Sequence, residues 1–124
     1  MTVLPLLVAV VDDDESVRES LPDLLAELGF AVRAFSSAED LLAGDCLGEI
    51  RCLILDIAMP GMSGADLQRE LRRRRQEIPI VFITAQQDPS VRPRLLEAGA
   101  VECLFKPFSE TALLAALQAA LRAA

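Results

Sequence analysis

The first residue in this sequence with an evident chemical use is a carboxylate at the end of an apolar run. Asp56 closes the stretch 52–55 and is followed at once by Pro60, Gly61 and Gly64. That spacing predicts a buried strand that stops at Asp56. Asp12 and Asp13 follow the apolar run 6–11, Thr84 closes the run 80–84, and Lys106 follows the run 101–105. Lys106 is the single lysine among 12 basic residues, the rest being arginine, which marks a position that calls for a compact ammonium rather than a guanidinium fork. Acids between a strand and a helix are often only caps, so Asp12 and Asp13 alone carry little weight. Gathered together, three carboxylates and one ammonium are net negative: one carboxylate resists ionising, and a hard divalent cation would neutralise the group. Oxygen-only donors at a partly hydrated site favour Mg2+. Beside such a cation and Lys106, Asp56 is placed to act as an in-line nucleophile on a phosphoryl group, giving an acyl phosphate. Thr84 is placed to donate its hydroxyl to a phosphoryl oxygen.

The rest of the composition narrows the chemistry to those residues. Histidine is absent, which excludes Ser-His-Asp and Cys-His catalysis, His-ligated zinc and a phosphohistidine within this chain. The 124 residues make about one domain, assigned here to 1–124, and 52% hydrophobic with 25% charged residues is ordinary for a globular fold. A net charge of -7 argues against a nucleic-acid surface on this segment and favours a basic partner or a bound cation. Cys46, Cys52 and Cys103 have no metal-ligand spacing and read as reduced thiols of a cytoplasmic protein. The first eleven residues lack a basic segment, and no 18-residue apolar stretch occurs, so neither an export signal nor a membrane span is expected.

The site needs elements to hold it, and the pattern supplies five strand–helix pairs. The run 6–11 reads as the first strand. Val17, Leu21, Leu24, Leu25 and Leu28 fall at helical spacing up to Gly29, with a bend expected at Pro22. A second strand at 31–35 precedes a brief helix capped by Ser36 or Ser37, with 44–49 as loop. After the third strand, 65–75 forms a helix with Leu67 and Leu71 inward, and Arg72 to Arg75 read as a solvated helix end. The strand 80–84 leads to a short helix with Ser90 as cap, Pro93 in its first turn and Gly99 beyond its end. The strand 101–105 leads to a last helix capped by Ser109, with Leu113, Leu114, Leu117 and Leu121 on one side. Such alternation implies an α/β fold with helices on both faces of a five-stranded parallel sheet. In that arrangement all the polar strand ends lie along one edge.

In this order and phase, Val11-Asp12-Asp13-Asp14-Glu15, Leu55-Asp56-Ile57-Ala58-Met59-Pro60, Ile83-Thr84-Ala85 and Lys106-Pro107 resemble the receiver domain of bacterial two-component response regulators. Met59-Pro60-Gly61-Met62-Ser63-Gly64, Ala98-Gly99-Ala100 and Phe105-Lys106-Pro107-Phe108 are most similar to FixJ-type receivers that precede a LuxR-type DNA-binding domain. The resemblance covers about 6–121 and implies a flavodoxin-like, doubly wound sheet of strand order 2-1-3-4-5. It also implies that Asp56 accepts phosphate from a sensor histidine kinase. Asp13 and Asp56 would bind Mg2+ directly, Asp12 through water, and the Ala58 backbone carbonyl would complete the metal site. Lys106 would contact the phosphoryl group, and its bond to Pro107 would be cis.

Two departures from the family pattern concern the readout. Cys103 stands three residues before Lys106 where the family usually carries Tyr or Phe, so the aromatic switch is absent or replaced. Pro93 alters the fourth helix, which with the fifth strand and fifth helix is the family's usual output and homodimerisation face. Ala58 and Gln86 flank the site and are positioned to tune hydrolysis. The main rival is a haloacid-dehalogenase-like phosphatase, a family with a second Asp two positions after the nucleophile, where this chain has Ala58. A stand-alone receiver acting through protein contacts, without a DNA-binding domain beyond Ala124, is the other alternative.

Overall fold

The computed structural model describes residues 5–85 and 88–123, in which five strands alternate with five α-helices. The strands are β1 (Leu7–Val11), β2 (Ala31–Phe35), β3 (Ile50–Asp56), β4 (Ile80–Thr84) and β5 (Glu102–Phe105). The helices are α1 (Glu15–Glu27), α2 (Ala38–Ala43), α3 (Gly64–Arg73), α4 (Val91–Glu97) and α5 (Glu110–Ala123). Every strand pairing is parallel, in the order β2-β1-β3-β4-β5, which is the expected flavodoxin-like arrangement. No helix among the described residues is long and apolar enough to cross a membrane.

Alternation along the strands divides the core into two layers. Ala9, Val11, Leu53, Leu55 and Phe82 pack with Leu41, Leu67, Leu71 and Leu95 from α2, α3 and α4. Val8, Val10, Ile54, Val81 and Ile83 pack on the other face with Leu21, Leu25, Leu113 and Leu117 from α1 and α5. Because β3 is covered on both sides, none of residues 52–56 is more than 6% exposed, and truncating Leu53 to Ala would cost about 2–5 kcal/mol.

Side chains start most of the helices where the sequence indicates. Asp14 caps α1 by accepting from the backbone and hydroxyl of Ser16, Ser37 caps α2, and Ser63 forms a reciprocal box with Asp66 at α3. Ser109 accepts from the Ala112 amide at the head of α5. At α4 the cap falls at the expected residue but is built differently. Ser90 holds the N-cap position without a side-chain cap, and the Asp88 carboxylate instead accepts from the Ser90 amide and hydroxyl. Pro93 is the third helical residue, where no hydrogen bond is lost. Helix α1 runs on through Pro22, with Leu21 and Leu25 both buried.

The other differences are at element ends. The segment expected as loop at 44–49 contains a 3-10 turn, Leu47–Glu49, and β5 begins at Glu102. Helix α3 stops at Arg73 because Arg75 adopts a left-handed backbone with φ 58°. The Gln76 amide then donates to the Leu71 carbonyl, closing the helix as Gly29 and Gly99 do for α1 and α4.

Candidate functional site

Strand register brings the polar residues together. Val11 pairs with Leu55, Asp56 with Ile83, and Thr84 with Phe105. Asp12, Asp56, Thr84 and Lys106 therefore lie along the carboxyl edge of β1, β3, β4 and β5, where doubly wound folds place ligands. Asp12, Asp13 and Asp56 each offer a carboxylate oxygen, and these oxygens lie within 4.8 Å of one another. Asp12, Asp56 and Thr84 are buried, while Asp13 is exposed at the mouth.

Lys106 reaches this group from just past the end of β5. Its Nζ lies 2.8 Å from Asp12 Oδ2 and 4.0 Å from Asp56 Oδ1, and its backbone N–H donates to the Thr84 carbonyl at 2.7 Å. The Lys106–Pro107 bond is cis. The other Asp12 oxygen, Oδ1, accepts from the Asp14 amide at 2.9 Å, and the Arg18 guanidinium donates to the Asp12 backbone carbonyl at 3.0 Å. The run of four acids thus divides its work. Asp14 only caps the helix, whereas Asp12 and Asp13 face Asp56.

The charge balance is visible in the titration of Asp56. Burial, followed by the Asp12 charge, pushes its carboxyl up to about 7 against the pull of Lys106. Burial works against the Lys106 ammonium, but its hydrogen bond and attraction to Asp12, with Asp56 behind, hold its pKa above the ordinary lysine value. Three hard oxygen donors carrying excess negative charge fit a divalent cation.

Two glycines that the sequence marks as turn residues, and a glutamate that no motif points to, shape the loop after Asp56. A Cβ on Gly64 would lie 2.4 Å from the Asp56 carbonyl oxygen and 3.0 Å from the Phe82 ring, so only glycine lets α3 start against the end of β3. At Gly61, with φ 75°, a Cβ would lie 2.6 Å from Glu39 Oε2, which accepts from the Met62 amide at 3.1 Å. Glu39 of α2 therefore fastens the segment that carries Ala58. Ala58 itself is exposed, two residues past Asp56, and Gln86 lies outside the described residues.

Elsewhere the arginine run is not merely a solvated helix end. Arg73 and Arg74 pair with Glu70, but Arg72 donates to the Ala98 carbonyl at the end of α4, as does the amide of the mostly buried Gln68. Cys103 is buried on the side of the sheet that faces α4, in the same cluster as Val91 and Leu95. All three cysteines are free and buried, and burial pushes the Cys52 thiol up to about 12, which makes it inert.

The family model described as "Response regulator receiver domain" matches residues 8–118. The response regulator protein TodT of Pseudomonas putida is 42% identical over 118 residues, covering 95% of this chain and 52% of TodT. The chain spans about half the length of the curated relatives it matches. Among solved structures, the response regulator StyR superposes with a TM-score of 0.87 at 48% identity, covering 94% of this chain and 59% of StyR. FixJ-N does so with a TM-score of 0.84 at 37% identity, covering 98% and 96%.

Proposed function

Because the chain belongs to the response regulator receiver domain family, we propose that residues 1–124 form one cytoplasmic receiver in which Asp56 accepts a phosphoryl group from the phosphohistidine of a sensor kinase. The observation that carries this reading is the meeting of three carboxylates within 4.8 Å, with Lys106 Nζ 4.0 Å from Asp56 Oδ1. Asp13 and Asp56, with Asp12 through water and the Ala58 carbonyl, would hold Mg2+, which supplies positive charge for the phosphoryl oxygens.

In the transfer, an Asp56 carboxylate oxygen attacks phosphorus, the P–N bond to the kinase histidine breaks, and imidazole leaves with the bonding pair. The Lys106 ammonium is released from Asp12 to meet the incoming oxygens, where a mobile point charge can follow the shift. Thr84, buried beside Asp56 at the end of β4, donates its hydroxyl to the same group. The adduct adds negative charge and acceptors, which draw Thr84 and Lys106 inward and change the surface formed by α4, β5 and α5. With Cys103 under α4 there is no aromatic ring to swing at that position, so the displacement passes through packing on α4. That surface would also carry a homodimer, and its output would be transcriptional, through a DNA-binding domain beyond Ala124, a reading supported by similarity to transcriptional regulatory proteins.

The test is intact mass after incubation with acetyl phosphate and Mg2+. The expected result is one added phosphoryl group that is labile to base, needs the metal and is lost in Asp56→Asn. Catalytic turnover of phosphomonoesters without a lasting adduct would overturn the reading in favour of a phosphatase.

A further inference from the structure

A cleft of about 420 Å3 lies between α3 and α4; none of Asp12, Asp13, Asp56 and Lys106 lines it, and Ile57 is its nearest link to them along the chain. Ile57, Val91 and Leu95 are its apolar lining residues, and Arg69, Arg72 and Arg94 its charged ones. In a chain of net charge -7, with 19 acidic residues, no carboxylate lines this cleft among the described residues. Arg69 is paired with Asp66. Arg72 and Arg94 are hydrogen-bonded to backbone carbonyls, those of Ala98 and Ser90; the Asp88 carboxylate, outside the cleft, lies close enough to Arg94 to feel its charge but makes no direct ion pair with it. Gln68, 8% exposed, closes the inner wall through its bond to Ala98.

We propose that this cleft is a binding site for a small organic anion, an apolar body of one or two rings bearing a carboxylate or phosphate. The volume falls in the range of small-molecule sites, and apolar walls with a few charged groups are how such sites fix orientation. A carboxylate or phosphate can be gripped by two guanidiniums at once, in the fork geometry that arginine favours. The occupant would touch Ile57, the residue after Asp56, and would brace α4 against α3, where the described side-chain hydrogen bonds are those of Gln68 and Arg72 to Ala98. Such a ligand would give the protein a second input, independent of the chemistry at Asp56.

The experiment uses 2-naphthoate as probe and 2-naphthalenemethanol as its uncharged counterpart, titrated into the unphosphorylated chain and followed by amide NMR shifts. Saturable binding of the carboxylate, with shifts centred on Gln68, Leu95 and Ala98, is expected. Arg72→Gln and Arg94→Gln, both at surface positions, should each weaken it roughly tenfold, and Arg69→Gln less, since Arg69 is already paired. Leu95→Phe, which fills the cleft, should abolish it while the remaining amide shifts report an intact fold. Equal affinity for the alcohol, shifts centred elsewhere, or no saturation at millimolar probe would each overturn the proposal. None of these outcomes depends on whether Asp56 is phosphorylated.

Discussion

Replacing Asp56 by Asn should make the metal-free protein more stable, by an amount that depends on pH. The folded carboxyl titrates near 7, against 3.8 for an ordinary aspartate. Below the ordinary value both folded and unfolded chains hold the proton, and Asp56 contributes no pH-dependent term. Between the two values the unfolded chain ionises while the folded one does not, so stability falls as pH rises, and above 7 the loss is complete. At ~1.4 kcal/mol per pKa unit the full shift would correspond to about 4 kcal/mol. Relaxation of the pocket and entry of water around the ionised carboxylate reduce this to roughly 2 kcal/mol. Urea unfolding of the two proteins in EDTA should therefore give closely matching midpoints at pH 3 and a clear advantage for Asp56→Asn at pH 8. Saturating Mg2+ should close the gap by about 1 kcal/mol at a few times its dissociation constant, by stabilising only the wild type. A pH-independent difference, or a wild type more stable than the variant at pH 8 without metal, would refute the charge balance derived for the pocket.

Other perturbations separate the parts of the site. Gly64→Ala forces a methyl onto the Asp56 carbonyl, which cannot yield. A loss of about 3 kcal/mol is expected in denaturant unfolding. Arg75→Gly relieves a left-handed arginine and should stabilise by about 1 kcal/mol, raising the thermal midpoint by about 4 °C. Glu39→Ala frees the Met62 amide and should slow phosphorylation by acetyl phosphate several-fold with a raised Mg2+ requirement. Glu39→Gln, which keeps an acceptor, should retain most of the rate. Equal loss in both variants would mean that charge, rather than loop position, is what Glu39 supplies.

The sequence showed the site more clearly than the elements that brace it. Strands 52–55 and 80–84 are legible because central parallel strands are apolar on both faces, and the polar residue that ends each one then marks the binding edge. Asp12, Asp56, Thr84 and Lys106 could thus be assembled without coordinates. The early end of α3 was hidden because Arg75 takes a backbone conformation normally left to glycine. The Leu47–Glu49 turn is too short to leave a periodic pattern. The bonds from Glu39 to Met62 and from Gln68 to Ala98 join residues 23 and 30 positions apart. Only packing decides such pairs, and neither side chain belongs to a motif. The four-arginine run looked uniform in sequence, yet folding gives Arg72, the Arg73–Arg74 pair and Arg75 three different roles.

The central claim is that folding builds an oxygen cup for a divalent cation beside Asp56. Mn2+ added at substoichiometric levels should selectively broaden the amide resonances of Asp12, Asp13, residues 56–58 and Lys106, and excess Mg2+ should restore them. Broadening centred on the exposed acids of α1 or near Asp45, or none that Mg2+ reverses, would contradict the account.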